Sequence, residues 1–505
     1  MSLIPSSRGG AVWRFVLAAV IVVIAAATTT AVAGLLQFKQ IAKYVSATPA
    51  IKQARVVIPN PGSPQTILIL GSDHRAGAPQ SSANTDTIML VRLDASSSTI
   101  NVMSVPRDLM VDIPLPDDGV ETAKINAAYS LGGPNLVVKT LQENVFPELE
   151  VNHIVDINFT GFVDLVNAIG CVYTQVDHRY YNNTAYTDYS SIDIEPGYQK
   201  LCGTAALSYV RFRHTDNDLV REARQQDFIR EAKDQYGQTR LIENRDKLLK
   251  IFGAHTRTDP DLHTIDGLIN LFDLVAFSDG HAIKQIPFPT ANIAYMVGKE
   301  DYVTADSGAE LAAFNRFMTP TVAGAGGSAP SAPTTAPQPA RAPTAGLIPA
   351  LAEGKLQAAA LGGAGMPVYA PKLLAAGSEY CSATLANCPT GTEISTVGAY
   401  PRAYVLSTSQ HHPAAAYQMT VMLNATLGQY YDVQGTTWQH PPILADPTEV
   451  RVVGRKTLDL YFEGAKLDLV AWHIPEGVYW ISNTLTDNLD KEQMIGLAAS
   501  LTRVS

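Results

Sequence analysis

A chain of 505 residues exceeds what one ordinary core organises, so two folded domains are expected. Its 46% hydrophobic and 17% charged content excludes wholesale disorder. A formal net charge of −10 excludes a nucleic-acid binder, because there is no basic excess to displace phosphate counterions.

The chain opens with Arg8 and Arg14 ahead of an uncharged run at 15–36. About 20 apolar residues cross a bilayer as a helix, so this run predicts a membrane anchor. Ala31-Val32-Ala33 has the form of a signal-peptidase site, but the apolar run resumes at Leu35-Leu36, which favours an uncleaved span. The expectation is a single-pass protein with residues 1–36 as cytoplasmic tail and anchor, and with its folded domains outside. Residues 37–64 read as a stalk ending in a proline-rich turn.

Three short β-branched runs follow, at 67–70, 87–93 and 100–105, each predicting a buried strand. The first leads into Asp73, His74 and Arg75, the second starts beside Asp86, and the third ends in Pro106-Arg107-Asp108. Gly132-Gly133-Pro134 reads as the entry turn of a helix over 135–144. Residues 154–159 predict a strand, and 162–169 a helix closed by Gly170. Cys171 opens another strand and Cys202 precedes 209–213, also read as a strand, on which Arg211 and Arg213 share one face. The tyrosine-rich stretch between the cysteines, 180–198, reads as a surface excursion whose flanking cysteines are bridged in an exported protein. Residues 219–236 predict a helix with Arg221, Arg224 and Gln225 on one face. Helices over 241–252 and 262–277 and a strand near 283–287 complete the region.

This alternation implies an α/β domain over 65–318, a mixed central sheet flanked by helices. Residues 319–346 form a Pro/Ala-rich linker. Over 347–505 a helix, a Cys381–Cys388 loop that a disulfide could close, several alternating strands and a last helix at 491–501 predict a smaller α+β domain. It carries no motif that reads as catalytic.

Two carboxylates at strand ends, Asp73 and Asp86, suit one divalent ion such as Mg²⁺, which prefers few protein ligands plus substrate phosphate. Alone, either aspartate reads more readily as a turn cap. The arginines shift that balance: Arg75, Arg107, Arg211, Arg213, Arg221 and Arg224 offer planar forks that match a diphosphate, and Lys124 adds a point charge. Surface ion pairing with Asp108, Asp216, Asp218 and Glu222 is the plainer alternative. No P-loop or nucleophile elbow is present. His74 and His214 are secondary candidates for proton transfer.

The motifs Gly71-Ser72-Asp73-His74-Arg75, Thr85-Asp86-Thr87, Ser104-Val105-Pro106-Arg107-Asp108, Lys124-Ile125-Asn126-Ala127-Ala128-Tyr129 and Tyr209-Val210-Arg211-Phe212-Arg213 occur in that order. With Asp216-x-Asp218-x-x-Arg221-x-x-Arg224-Gln225-Gln226, the chain over 65–318 resembles the LytR-CpsA-Psr family of cell-envelope phosphotransferases. The resemblance implies a hydrophobic pocket for the lipid of a polyprenyl-pyrophosphate glycan, and transfer of that glycan, as its phosphate ester, to a peptidoglycan hydroxyl. It implies Asp73 and Asp86 as ligands of Mg²⁺ (or Mn²⁺). Arg75, Arg107, Arg211, Arg213, Arg221, Arg224 and Gln225 would bind the pyrophosphate with help from Lys124, and Asp108 would be a candidate base. The cysteine pairs and long tail are similar to actinobacterial members, which points to arabinogalactan, with teichoic acid or a comparable polymer as alternatives. A lipid-pyrophosphate hydrolase and a non-catalytic cell-wall-binding or regulatory protein are the rival readings. The family often has an arginine two residues before the second aspartate; here Asn84 stands there, so one phosphate contact is missing or comes from another residue.

Overall fold

The computed structural model describes residues 43–44, 49–52, 54–73, 83–115, 118–183, 191–212, 218–278, 281–321, 342–382, 388 and 400–504. The anchor expected at 15–36, the motif residues His74, Arg75, Arg213, His214 and Asp216, and most of the linker lie outside the described residues. Among the described residues no helix is long and apolar enough to cross a membrane.

The first region is built on strands β1 (Gln65–Ser72), β2 (Thr85–Leu93) and β3 (Thr99–Ser104), the three runs expected from their β-branched content. After them come the hairpin β4 (Met110–Pro114) and β5 (Val120–Lys124), helix α1 (Ala127–Thr140), β6 (His153–Asn158) and α2 (Phe159–Ala168). Strands β7 (Val172–Val176), β8 (Tyr180–Asn182), β9 (Ile192–Ile194) and β10 (Gly197–Leu201) follow. Helices α3 (Gly203–Arg211), α4 (Asp218–Glu243) and α5 (Arg245–His255), strand β11 (Thr256–Thr258) and α6 (Ile265–Ser278) lead to β12 (Ala282–Gln285). The hairpin β13 (Thr290–Val297) and β14 (Glu300–Ala305) and helix α7 (Ser307–Met318) end the region. The central sheet has the order β11-β6-β1-β2-β3-β12 and is mixed: β1 runs parallel to β6 and antiparallel to β2.

One face of this sheet, with Leu68, Leu70, Ile88, Leu90 and Met103, packs against Val137 and Val138 of α1 and against Phe146, Phe314 and Phe317. Phe146 stacks on Phe314 at 5.1 Å. The other face is thinner: Ile67, Leu93 and Leu274 are buried, while Ile69, Val91, Ile100, Val155 and Leu271 are only half-buried. Helix α1 breaks at Gly133, whose φ of 67° is open to glycine, and resumes at Pro134. The entry turn expected there is therefore a kink within a longer helix. The end of the presumed stalk belongs to the folded body: Ile51 is 2% exposed and its N–H donates to the Thr258 carbonyl at 2.9 Å.

Two further expectations are corrected. Residues 209–211 are the last turn of α3, not a strand, because Ala206, Tyr209 and Val210 are buried at helical spacing. The excursion at 180–198 is not wholly on the surface: Tyr180 and Tyr198 are fully buried, and β8 and β9 pair within it. Both expected disulfides are present, Cys171–Cys202 with Cα atoms 4.6 Å apart and Cys381–Cys388 at 5.6 Å.

The second region contains an eight-stranded sheet. Its order runs Glu379–Tyr380, Pro413–Asn424, Gln429–Thr436, Gly477–Ser482, Lys466–Ile474, Lys456–Glu463 and Glu449–Val453, with Arg402–Ser407 paired to Pro413–Asn424. Helices α8 (Leu351–Ala360) and α9 (Lys491–Ser500) accompany it, and α9 starts in a capping box between Asp490 and Gln493.

This sheet is joined to the first region by buried polar and aromatic contacts. Tyr198 meets Trp480 edge-on at 6.2 Å, and its N–H donates to the Tyr404 hydroxyl at 2.9 Å. The Gln418 amide donates to the carbonyls of Val176 and Asp177 and to the Asp432 carboxylate. Arg230 of α4 reaches Glu463 at 2.8 Å and Asp468 at 3.4 Å. Carboxylates outnumber cations here. Burial, then neighbouring carboxylates, push Asp487 up to about 8, against the pull of Arg230 and Lys466. Glu463 is pushed to about 8 and Asp227 to about 6, burial again leading and Arg230 opposing.

Between an unfolded pKa near 4 and a folded value near 8, Asp487 holds a proton that the unfolded chain has released. Stability therefore falls as pH rises through that window. Asp487 has φ +52°, which asparagine tolerates. Asp487→Asn should raise Tm at pH 8 by about 2–5 °C and leave it unchanged at pH 4, as measured by thermal unfolding.

Candidate active site

The site is assembled at the adjoining ends of β1 and β2. Gly71 pairs with Thr87 and Ser72 with Thr85, so Asp86 is an extra residue in a β-bulge. A bulge bends the strand and re-aims the unpaired side chain. The Thr85 hydroxyl holds this one in place, lying 3.0 Å from the Gly71 carbonyl and 2.8 Å from that of Thr87. Asp73, just past β1, has its carboxylate oriented by the Asn84 N–H at 2.6 Å, and its own N–H donates to the Asn84 carbonyl. Asn84 thus serves through its backbone, and its side chain is exposed.

Asp86 is gripped from two sides. Arg107, at the end of β3, donates to one of its oxygens. Arg211, the last residue of α3, donates Nε and Nη2 to the other, both at 3.0 Å. The Arg211 guanidinium lies 3.9 Å from the centroid of the Phe159 ring, so its fork is held by a cation–π contact as well. Arg107 also approaches Asp108 at 3.8 Å, and Lys124 sits 3.4 Å from Asp108 and 3.1 Å from Asp301. Burial opposes the Lys124 charge, but Asp108 and Asp301 outweigh it and raise its pKa above the ordinary value.

Helix α4 closes the other side. Gln225 accepts from the Thr87 hydroxyl at 3.3 Å and donates to the Val210 carbonyl at 3.0 Å, which ties β2 to the end of α3. Arg221, one turn earlier, is 2% exposed. Arg224 has a different task from the one expected. It is fully buried, donates to the carbonyls of Tyr209 and Phe212, and stacks on Tyr180 at 4.5 Å. It caps the α3 end that presents Arg211.

Of the residues expected in the site, the structure brings together Asp86, Arg107, Arg211 and Gln225, with Asp73 on the adjoining strand end and Asp108 and Lys124 beside Arg107. Arg75 and Arg213 lie outside the described residues. Among the described residues no group of three or more metal-ligating side chains occurs. Two carboxylates on neighbouring strands nevertheless fit Mg²⁺, an ion that completes its shell with phosphate and water.

Two supports were not read from the sequence. Asp156 on β6 accepts from Ser72 at 2.8 Å and from Tyr129 at 2.7 Å, fixing the strand end before Asp73. Burial, then Asp156, pushes the Tyr129 phenol upward and keeps it a donor. A lone aspartate inside the apolar run 154–157 was the available signal. Asp301 arrives on the β13–β14 hairpin, which had no clear signal.

A family model described as the LytR_cpsA_psr family matches residues 32–314. The chain is 29% identical over 260 residues to the polyisoprenyl-teichoic acid–peptidoglycan teichoic acid transferase TagT of Bacillus subtilis, covering 47% of this chain and 79% of TagT. It is 33% identical over 200 residues to regulatory protein MsrR of Staphylococcus aureus, covering 39% of this chain and 57% of MsrR. Among solved structures, protein gbs0355 from Streptococcus agalactiae matches at 26% identity and TM-score 0.44, over 51% of this chain and 87% of that one. TagT bound to LI-WTA matches at 22% identity and TM-score 0.41, over 54% and 98%.

The two arginine roles predict separable defects. Arg224→Met should destabilise the fold by about 3 kcal/mol, since charge-assisted bonds to two buried carbonyls are lost. Arg211→Ala, at a side chain 38% exposed, should cost less than about 1 kcal/mol. Urea unfolding of both variants checks this.

Proposed function

The chain belongs to the LytR-CpsA-Psr family of cell-envelope transferases, and from that premise we propose that it moves a glycan phosphate from a polyprenyl diphosphate carrier to a peptidoglycan hydroxyl. The observation that carries this reading is Asp86 held between the Arg107 and Arg211 forks, with Asp73 on the adjoining strand end. It is a site for a divalent ion and a diphosphate side by side. TagT, by its name, transfers teichoic acid between a polyisoprenyl carrier and peptidoglycan; for this chain, arabinogalactan or a comparable polymer is the proposed cargo.

In the proposed reaction the acceptor hydroxyl oxygen attacks the glycan-side phosphorus. The bond from that phosphorus to the bridging oxygen breaks, polyprenyl phosphate leaves, and the hydroxyl proton passes to a base. Mg²⁺ held by Asp73 and Asp86 would supply charge neutralisation on the diphosphate. Arg107 and Arg211 match non-bridging phosphate oxygens with paired N–H donors and stabilise charge as it develops there. Lys124 adds a point charge. Asp108 sits between Lys124, at 3.4 Å, and Arg107, at 3.8 Å. Its proposed part is to aim those two cations and to accept the hydroxyl proton. The half-buried apolar face of the sheet, at Ile69, Val91, Ile100 and Val155, is the proposed bed for the lipid. The anchor read at 15–36 would keep the site at the membrane surface where such a donor resides.

The test incubates the full chain in detergent with a polyprenyl diphosphate glycan, Mg²⁺ and a peptidoglycan oligomer, and follows both products by mass spectrometry. Glycan phosphate on the oligomer is the expected result; release of phosphate products without attachment would replace transfer with hydrolysis. Arg107→Ala should lower kcat by about 10²-fold or more. Unchanged turnover in that variant would remove this pocket as the site.

A further inference from the structure

The catalytic cluster is made of two halves with different supports. Asp86 stands on β2, and Asp73 and Arg107 lie just past the ends of β1 and β3, strands that the first region's own core holds. Arg211 and Gln225 stand on α3 and α4, and these helices are braced from behind by the second region.

Contacts to both helices make that brace. Gly428, in the turn between Pro413–Asn424 and Gln429–Thr436, lies so close to α4 that a Cβ there would sit 3.1 Å from Cγ2 of Val220, the neighbour of Arg221. Farther along α4, Arg230 binds Glu463 at 2.8 Å and Asp468 at 3.4 Å, both in the second sheet, while Asp227 at 3.1 Å steadies it from its own helix. For α3, the Tyr209 hydroxyl donates to the Gln175 carbonyl at 2.9 Å. The Gln175 amide then donates to Gln418 and Asp432 of the second sheet, at 3.2 and 3.1 Å.

We infer that the second region is a positioning element of the active site, acting through Arg230 on α4 to set where Gln225 joins Thr87 to the end of α3 that carries Arg211. Arg230 lies five residues beyond Gln225, about 8 Å along a helix that transmits displacement as a rigid rod. It touches none of the cluster and is a positioning residue. The groups facing it are Asp227 and Glu231 on α4 and Glu463, Asp468 and Asp487 from the second region, with Lys466 beside Asp487. One arginine among five carboxylates leaves this joint without a substitute if its fork is removed.

The inference rests on the proposed transferase reading for its kinetic arm and not for its structural arm. Arg230→Lys keeps the charge and loses the bidentate fork; if it does not fold, Asp468→Asn weakens the same pair without stranding the arginine. Two readouts are taken on the full chain: kcat and KM with the lipid diphosphate donor, and amide hydrogen exchange over 204–212 and 219–226. The expected result is a fall in kcat of about tenfold or more with KM changed less than about threefold, because misplaced donors penalise the transition state most. Exchange over 219–226 should quicken by about tenfold while the β1–β3 amides are unchanged. Unchanged exchange overturns the inference, and so does faster exchange with undiminished kcat. Should the wild-type chain turn over no lipid diphosphate, the transferase reading falls and the exchange result alone decides whether the second region positions α4.

Discussion

Charge opposition at Asp86 is the constraint on which the site depends. A carboxylate that faced two arginines on one rigid element would be an ordinary ion pair. Here the arginines come from different supports, one from the end of a central strand and one from the end of a helix outside the sheet. The ion pairs therefore close the gap between those supports. In the proposed reaction the same two forks turn to phosphate, so the contact that assembles the site is also the one the substrate would replace.

Around that point the fold distributes effort by distance. Asp156 steadies the end of β1 through Ser72 and Tyr129, and Asn84 turns the Asp73 carboxylate with backbone groups alone. Arg224 spends its guanidinium on carbonyls at the end of α3. None of these groups needs to touch substrate, yet each fixes one atom that does. This division explains why so many charged residues cluster in the family motifs: some belong to the ligand and others to the scaffold.

Much of this was legible in the residues, for identifiable reasons. Strands β1 to β3 and β6 announce themselves through β-branched runs, and α2 through apolar spacing and the glycine at 170. The order of the motifs was enough to gather Asp73, Asp86, Arg107 and Gln225. Other features depend on geometry that a linear pattern does not carry. Residues 209–211 are rich in β-formers but complete a helix, because Ala206, Tyr209 and Val210 fall on one buried helical face. Arg224 and Arg221 look alike on the α4 face, and only the position of the α3 carbonyls separates their tasks. Tyr198 is buried by Tyr404, Trp438 and Trp480, more than 200 positions away, so a polar context misled the reading of its segment.

The bulge at Asp86 makes chain length, as well as residue identity, a condition of the site. Removing one residue between Thr85 and Thr87 would regularise the ladder against β1 and invert which side chains of the strand's start face the core. Insertions and deletions should therefore be refused within the first three residues of this strand, a constraint that no single substitution would reveal.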